Sequence, residues 1–102
     1  MSKTKLEVVA QAHRTLGVLA TDENPSADMI SYAGTTLDAL VEELAYVQGL
    51  GVPFDSDDTP DELFLPMADY LASEIAPHYG VAGPARSRAI GRIRANLACD
   101  DR

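Results

Sequence analysis

Leu6, Val9, Ala10, His13 and Leu16 recur at steps of three and four, the spacing that lines side chains along one face of an α-helix. Just before them, Thr4-Lys5-Leu6-Glu7 is a capping box: the threonine hydroxyl accepts from the backbone three residues on, and the glutamate reaches back. A first helix is therefore predicted over about residues 5–16, closed by Gly17 in the left-handed conformation. Further on, Ile30, Ala33, Leu37, Leu40, Leu44 and Val47 step by three, four, three, four and three, which is a heptad seam. Asn24-Pro25 supplies a cap and a proline at the first helical position, and Gly49 a stop, so the longest helix is expected over about 25–48. The seam reads as packing against the chain's own helices in preference to a coiled coil with another chain. Gly34 within it weakens the helix by about 1 kcal/mol relative to alanine, or lets a neighbour approach closely.

The pattern then breaks. Gly49, Gly51 and Pro53 fall within five residues, while Val52 and Phe54 suggest a short extended piece, so Gln48 to Asp58 is read as a loop. Thr59-Pro60-Asp61-Glu62 combines a cap, a first-turn proline and a capping-box glutamate. It predicts a third helix over about 60–79 with Leu63, Met67, Leu71 and Ile75 on its apolar face, kinked or divided at Pro66 and ended by Gly80. Gly83-Pro84 opens a last helix, about 84–98, whose Ile90, Ile93 and Leu97 make a narrow apolar strip. At about 100° per residue, Arg86 and Arg94 flank the strip and Arg88 and Arg92 share the far side. The expectation is a single all-α domain over 1–102, a small bundle of about four helices.

Charge changes this picture. From Asp22 to Glu74 every charged side chain is acidic, thirteen in all, whereas from Arg86 to Arg94 the charges are four arginines and no acid. Ordinary soluble surfaces mix the signs. A chain that sorts them has unlike faces, suited to stacking against copies of itself or against a charged neighbour. An apolar strip rimmed by arginine suits docking, because the guanidinium forks onto carboxylates; pairing of the same arginines with the acidic second and third helices of their own chain is the competing expectation. The net charge of -8 over 102 residues repels nucleic-acid phosphates and anionic lipid. With aromatics at 6% and no tryptophan, there is no platform for stacking bases or sugars.

Chemistry finds little footing. Cys99 is the single cysteine, so neither an intrachain disulfide nor a thiolate metal cluster is possible, and it reads as an apolar filler. His13 sits on the apolar stripe and His78 near a helix end, with no serine or cysteine in a nucleophile motif beside either. Two carboxylates such as Glu42 and Asp61 can be nominated for glycoside cleavage, but nothing nearby would hold a sugar. The acidic run Asp55-Ser56-Asp57-Asp58-Thr59-Pro60 matches a calcium loop only at its first and third positions; Pro60 stands where the loop needs glycine and Pro66 where it needs the bidentate glutamate. The expectation is no enzyme, no cofactor and no metal. No apolar run approaches the roughly 20 residues of a membrane span, and Met1 to Lys5 carries no secretory signal.

The run from Lys5 to Val18, the long helix with Leu37-Asp38-Ala39-Leu40, the glycine-bearing turn at Gln48 to Gly51, and Leu71 to Gly80 together resemble the head-to-tail adaptor proteins of tailed bacteriophages. The subgroup they are most similar to is the packaged-DNA-stabilisation or tail accessory type, also found in gene transfer agents. The resemblance spans about residues 4–98. It implies a virion protein of the neck, made in the host cytoplasm, forming a twelve-fold ring beneath the portal, extending the DNA channel and receiving the tail or stopper component. On that reading the last helix docks on the portal through Arg86, Arg88, Ile90, Arg92, Ile93, Arg94 and Leu97. Arg102 follows soon after, so no long portal-embracing extension is expected. Asp55, Asp57, Asp58, Asp61 and Glu62 become candidates for a channel lining or for contacts between subunits; a lining that repels phosphate lets DNA pass without sticking. The alternative is a small acidic helical interaction module, a DNA-mimic inhibitor or regulatory subunit whose carboxylates occupy a basic groove.

Overall fold

The computed structural model describes residues 2–20, 22–46 and 58–100. Its elements are α1 (Lys5–Thr15), α2 (Ala27–Tyr46), α3 (Asp61–Tyr79) and α4 (Arg86–Asp100), with a two-residue antiparallel pairing of β1 (Ser2–Lys3) to β2 (Thr59–Pro60). The chain is a small all-α bundle of four helices, as the apolar spacing predicts. The loop expected between α2 and α3, with its extended piece at Val52 and Phe54, lies outside the described residues.

The start of α1 follows the sequence closely. Thr4 Oγ1 accepts from the Glu7 amide at 3.3 Å, the Glu7 carboxylate accepts from the Thr4 amide at 3.2 Å, and Gly17 takes φ 77° just past the helix. The beginning of α2 differs from expectation. Ser26, not Asn24, caps it, its hydroxyl accepting from the Met29 amide at 3.2 Å, which leaves Pro25 outside the helix. At α3 the predicted threonine cap is absent. Pro60 occupies the cap position without a side-chain bond, and Thr59 joins the pairing with Lys3 instead. Its buried Oγ1 has no hydrogen-bond partner among the described residues. Backbone pairing with the N-terminal strand has taken precedence over local capping.

α3 runs unbroken through Pro66 and Pro77 to Gly80, which is left-handed at φ 67°. The bond missing at Pro66 would have gone to the first helical turn. Burial outweighs that loss, because Leu63, Met67, Leu71 and Ile75 are all at most 1% exposed and each contributes roughly 1.5–3 kcal/mol. This helix is the centre of the bundle, with α1, α2 and α4 packed on it. Val8, Val9 and Ala12 of α1 and Ala33, Leu37, Leu40 and Leu44 of α2 complete the core. Among the described residues, two positions of the predicted stripes fall outside it: Leu6 is 48% exposed and Ile30 is 37% exposed. On α1 the buried face is rotated, so that Val8 and Ala12 take the place of Leu6.

Gly34 admits a neighbour, as expected. The Lys5 stem crosses it, with its Cδ 3.3 Å from where a Cβ would stand, and the ammonium reaches Asp38 at 3.1 Å. His13 is a core residue. Its Nδ1 lies 2.7 Å from the Val9 carbonyl oxygen, so Nδ1 carries the hydrogen and donates it, while Nε2 accepts from the Tyr79 hydroxyl at 2.8 Å. Both ring nitrogens are thereby satisfied.

Candidate partner-binding surfaces

α4 presents its predicted docking residues in two groups. Ile93 is buried and Ile90 half-buried, both packed into the core cluster together with Ala89, which was not among the predicted docking residues. The apolar strip therefore faces the chain's own α3, and it is centred on Ala89 and Ile93, one step round from the predicted Ile90-Ile93-Leu97 row. Leu97 belongs to α4, and its side chain lies outside the described residues.

The arginines divide the same way. Arg86 bonds the Glu43 carboxylate on α2 and pairs with Glu74 on α3 at 3.5 Å. Arg92, expected on the far side, turns back to Asp69 at 2.6 Å, which the shifted strip brings within reach. Arg88 and Arg94 are exposed and have no ion-pair partner among the described residues. Intrachain neutralisation thus accounts for two of the four guanidiniums, and the other two face solvent.

Glu43 is the knot that ties α4 to the body. Its Oε1 accepts from the Tyr70 hydroxyl and from Arg86, and the Arg86 guanidinium also lies 5.6 Å over the Tyr70 ring. The Tyr70 hydroxyl holds the Glu43 carboxyl below its ordinary range, with Arg86 adding to the effect and burial opposing it. Burial pushes the Tyr70 phenol up, and the neighbouring Glu43 carboxylate pushes it further. Arg86 is raised chiefly by its bond to Glu43. No spacing rule flags this triad, since its members come from three helices. The one available signal was a tyrosine on an otherwise apolar helix face, which needs a partner for its hydroxyl when buried.

Of the acidic candidates, Asp58, Asp61 and Glu62 are exposed around the start of α3, and Asp55 and Asp57 lie outside the described residues. A surface that sequence reasoning missed lies beside them. An open groove of about 470 Å³ runs along α1 from Lys3 past Leu6, Glu7 and Ala10 to Arg14, walled by Pro25 and Ile30 and by Phe64. Lys3 lies 5.4 Å over the Phe64 ring and 3.8 Å from Glu7. Arg14 donates to the Glu23 carbonyl at 3.2 Å and to the Ala20 carbonyl at 3.5 Å, tying down the α1–α2 connection. The signal was present in the repeats: Leu6 and Ile30 continue the apolar stripes beyond the point where the bundle covers them.

Among the described residues there is no group of three or more His, Cys, Asp or Glu side chains placed to hold a metal ion. Among them also, no helix is long and apolar enough to cross a membrane. The chain matches no family model, no curated protein and no solved structure.

Proposed function

We propose that this chain is a virion structural protein, a head-to-tail adaptor that forms a ring beneath the portal, extends the DNA channel and attaches the tail or stopper. The observation that carries the reading is the division of the arginines: Arg88 and Arg94 are exposed and have no ion-pair partner among the described residues, on a helix that Arg86 and Arg92 help to hold against the rest of the molecule. Two exposed guanidiniums with no partner among the described residues suit carboxylates on another polypeptide. The sequence resemblance over about residues 4–98 supports the same assignment, and so does the acidic middle of the chain, which would let phosphates pass.

In this reading Arg88 and Arg94 meet the portal, Arg86 and Arg92 position the helix, and DNA passes without specific binding. The test is negative-stain imaging of purified protein mixed with the portal ring of the same phage. An added layer is expected with the native chain, and it should be lost with Arg88→Glu plus Arg94→Glu while helical circular dichroism is unchanged. Protein that never joins portal, yet displaces DNA from a basic partner, would favour the acidic interaction module instead; the exposed Asp28, Glu42 and Glu62 carboxylates are the feature it would use.

A further inference from the structure

The groove along α1 is an apolar floor left open. Leu6 and Ile30, the two stripe residues among those described that the bundle fails to cover, both line it, as does Phe64. Lys3 and Arg14, two of the few cations in a chain of net charge -8, stand at its ends. An occupant that fits offers an apolar side chain accompanied by carboxylate.

The chain itself carries such a knob. Leu65, at 51%, is the most exposed large hydrophobic residue among those described. Glu62 and Asp61, both exposed, lie one turn before it on the same side of α3. We infer that the groove of one copy receives Leu65 of a second copy, with the Glu62 carboxylate of the incoming α3 meeting Lys3. Leu65 projects about 100° around α3 from Phe64, which lines the groove. Knob and socket therefore lie side by side, and where the knob of each copy enters the socket of the next without the exchange being returned, the contact is heterologous: it propagates from copy to copy and closes into a ring when the rotation allows. Desolvation of Leu6, Ile30 and Leu65 supplies the attraction, and the ion pair fixes orientation more than strength. The contact deepens the ring reading, and rests on it only for closure; it uses no residue of the proposed portal-facing pair Arg88 and Arg94.

Charge reversal tests it. In sedimentation at rising concentration, the native chain is expected to gain average mass, whereas Lys3→Glu and Glu62→Lys should each weaken association about tenfold or more, and the double reversal should restore it. Leu65→Glu, on the surface and therefore harmless to folding, should abolish it with an unchanged circular dichroism spectrum. A covalent measurement guards against weak association: in a Cys99→Ser background, copies bearing only Leu6→Cys mixed with copies bearing only Leu65→Cys should form a mixed disulfide faster than either alone. A native chain of constant mass together with no preferential mixed disulfide overturns the contact, as does a double reversal no better than the singles. Imaging with portal separates the two proposals. A layer that persists with Leu65→Glu leaves the adaptor reading standing and removes this contact, while a native chain that ignores portal, together with preferential mixed disulfide between the two cysteine variants, does the reverse.

Discussion

The three-helix body and α4 are held by different forces. In the body, Val8, Val9, Leu37, Leu44, Leu63, Met67, Leu71 and Ile75 are essentially without solvent exposure, and they interlock from three directions. Among the described residues α4 contributes Ala89 and Ile93 and half of Ile90 to the core, and ion pairs add to its attachment: Arg86 to Glu43 and Glu74, Arg92 to Asp69. Apolar burial is indifferent to pH and little weakened by salt, whereas partly exposed ion pairs are screened and each contributes about 0–1 kcal/mol. The body is accordingly the stable unit, and α4 is the element whose seat responds to solution conditions.

Leu37→Ala should strike the body hardest. The side chain is fully buried, and its loss should lower global stability by about 2–5 kcal/mol, read as a fall in the urea midpoint with every helix unfolding together. A surviving midpoint would mean that α2 is not part of the cooperative unit. Gly83→Ala attacks the junction. A Cβ there would stand 2.9 Å from the Ala76 Cβ and 3.2 Å from the Ala72 carbonyl oxygen, so overpacking of about 1–3 kcal/mol is expected. Hydrogen exchange should accelerate at the end of α3 and in α4 ahead of α1.

Glu43→Gln separates the two regions most cleanly. Replacing the charged acceptor shared by Tyr70 and Arg86 should cost about 1 kcal/mol, given its partial exposure. Amides of α4 should exchange faster while those of α1 stay protected. The same link predicts a pH dependence. The Glu43 carboxyl is held low by Tyr70 in the folded chain, so the unfolded chain binds that proton more readily. Its stabilising contribution is present above the ordinary carboxyl value of 4.5 and disappears as pH falls through the lower folded value. The protection of α4 amides, measured from pH 6 down to 3 relative to the intrinsic exchange rate, should fall more steeply in the native chain than in Glu43→Gln. The smallest effect has the opposite sign. Gly91 has open space around it, and Gly91→Ala should stabilise α4 by about 0.5–1 kcal/mol, seen as slower α4 exchange without a change in the body.

Helix number and most helix ends were readable because their causes are local: a Thr4–Glu7 box, a glycine at 17 or 80, a three-and-four spacing of apolar residues. Where a helix start was misplaced, at Ser26 and at Thr59, a competing partner lay within a few residues or across the bundle. The candidate surface on α4 was half readable. Sorted charge singled out the four arginines, and helical geometry alone put Arg92 on the wrong side, because the angle of the buried strip depends on what α3 offers opposite it.

The order of residues thus determined an all-α chain, the capping box of α1 and the segregated charge, since hydrogen bonds to the next turn and periodicity of side chains need no distant partner. Packing decided which arginines are neutralised, that Glu43 joins three helices, and that Leu6 and Ile30 remain uncovered at one shared groove. Those outcomes depend on which faces meet across the bundle, and that is settled only when four amphipathic helices compete to bury their apolar sides against a limited common core.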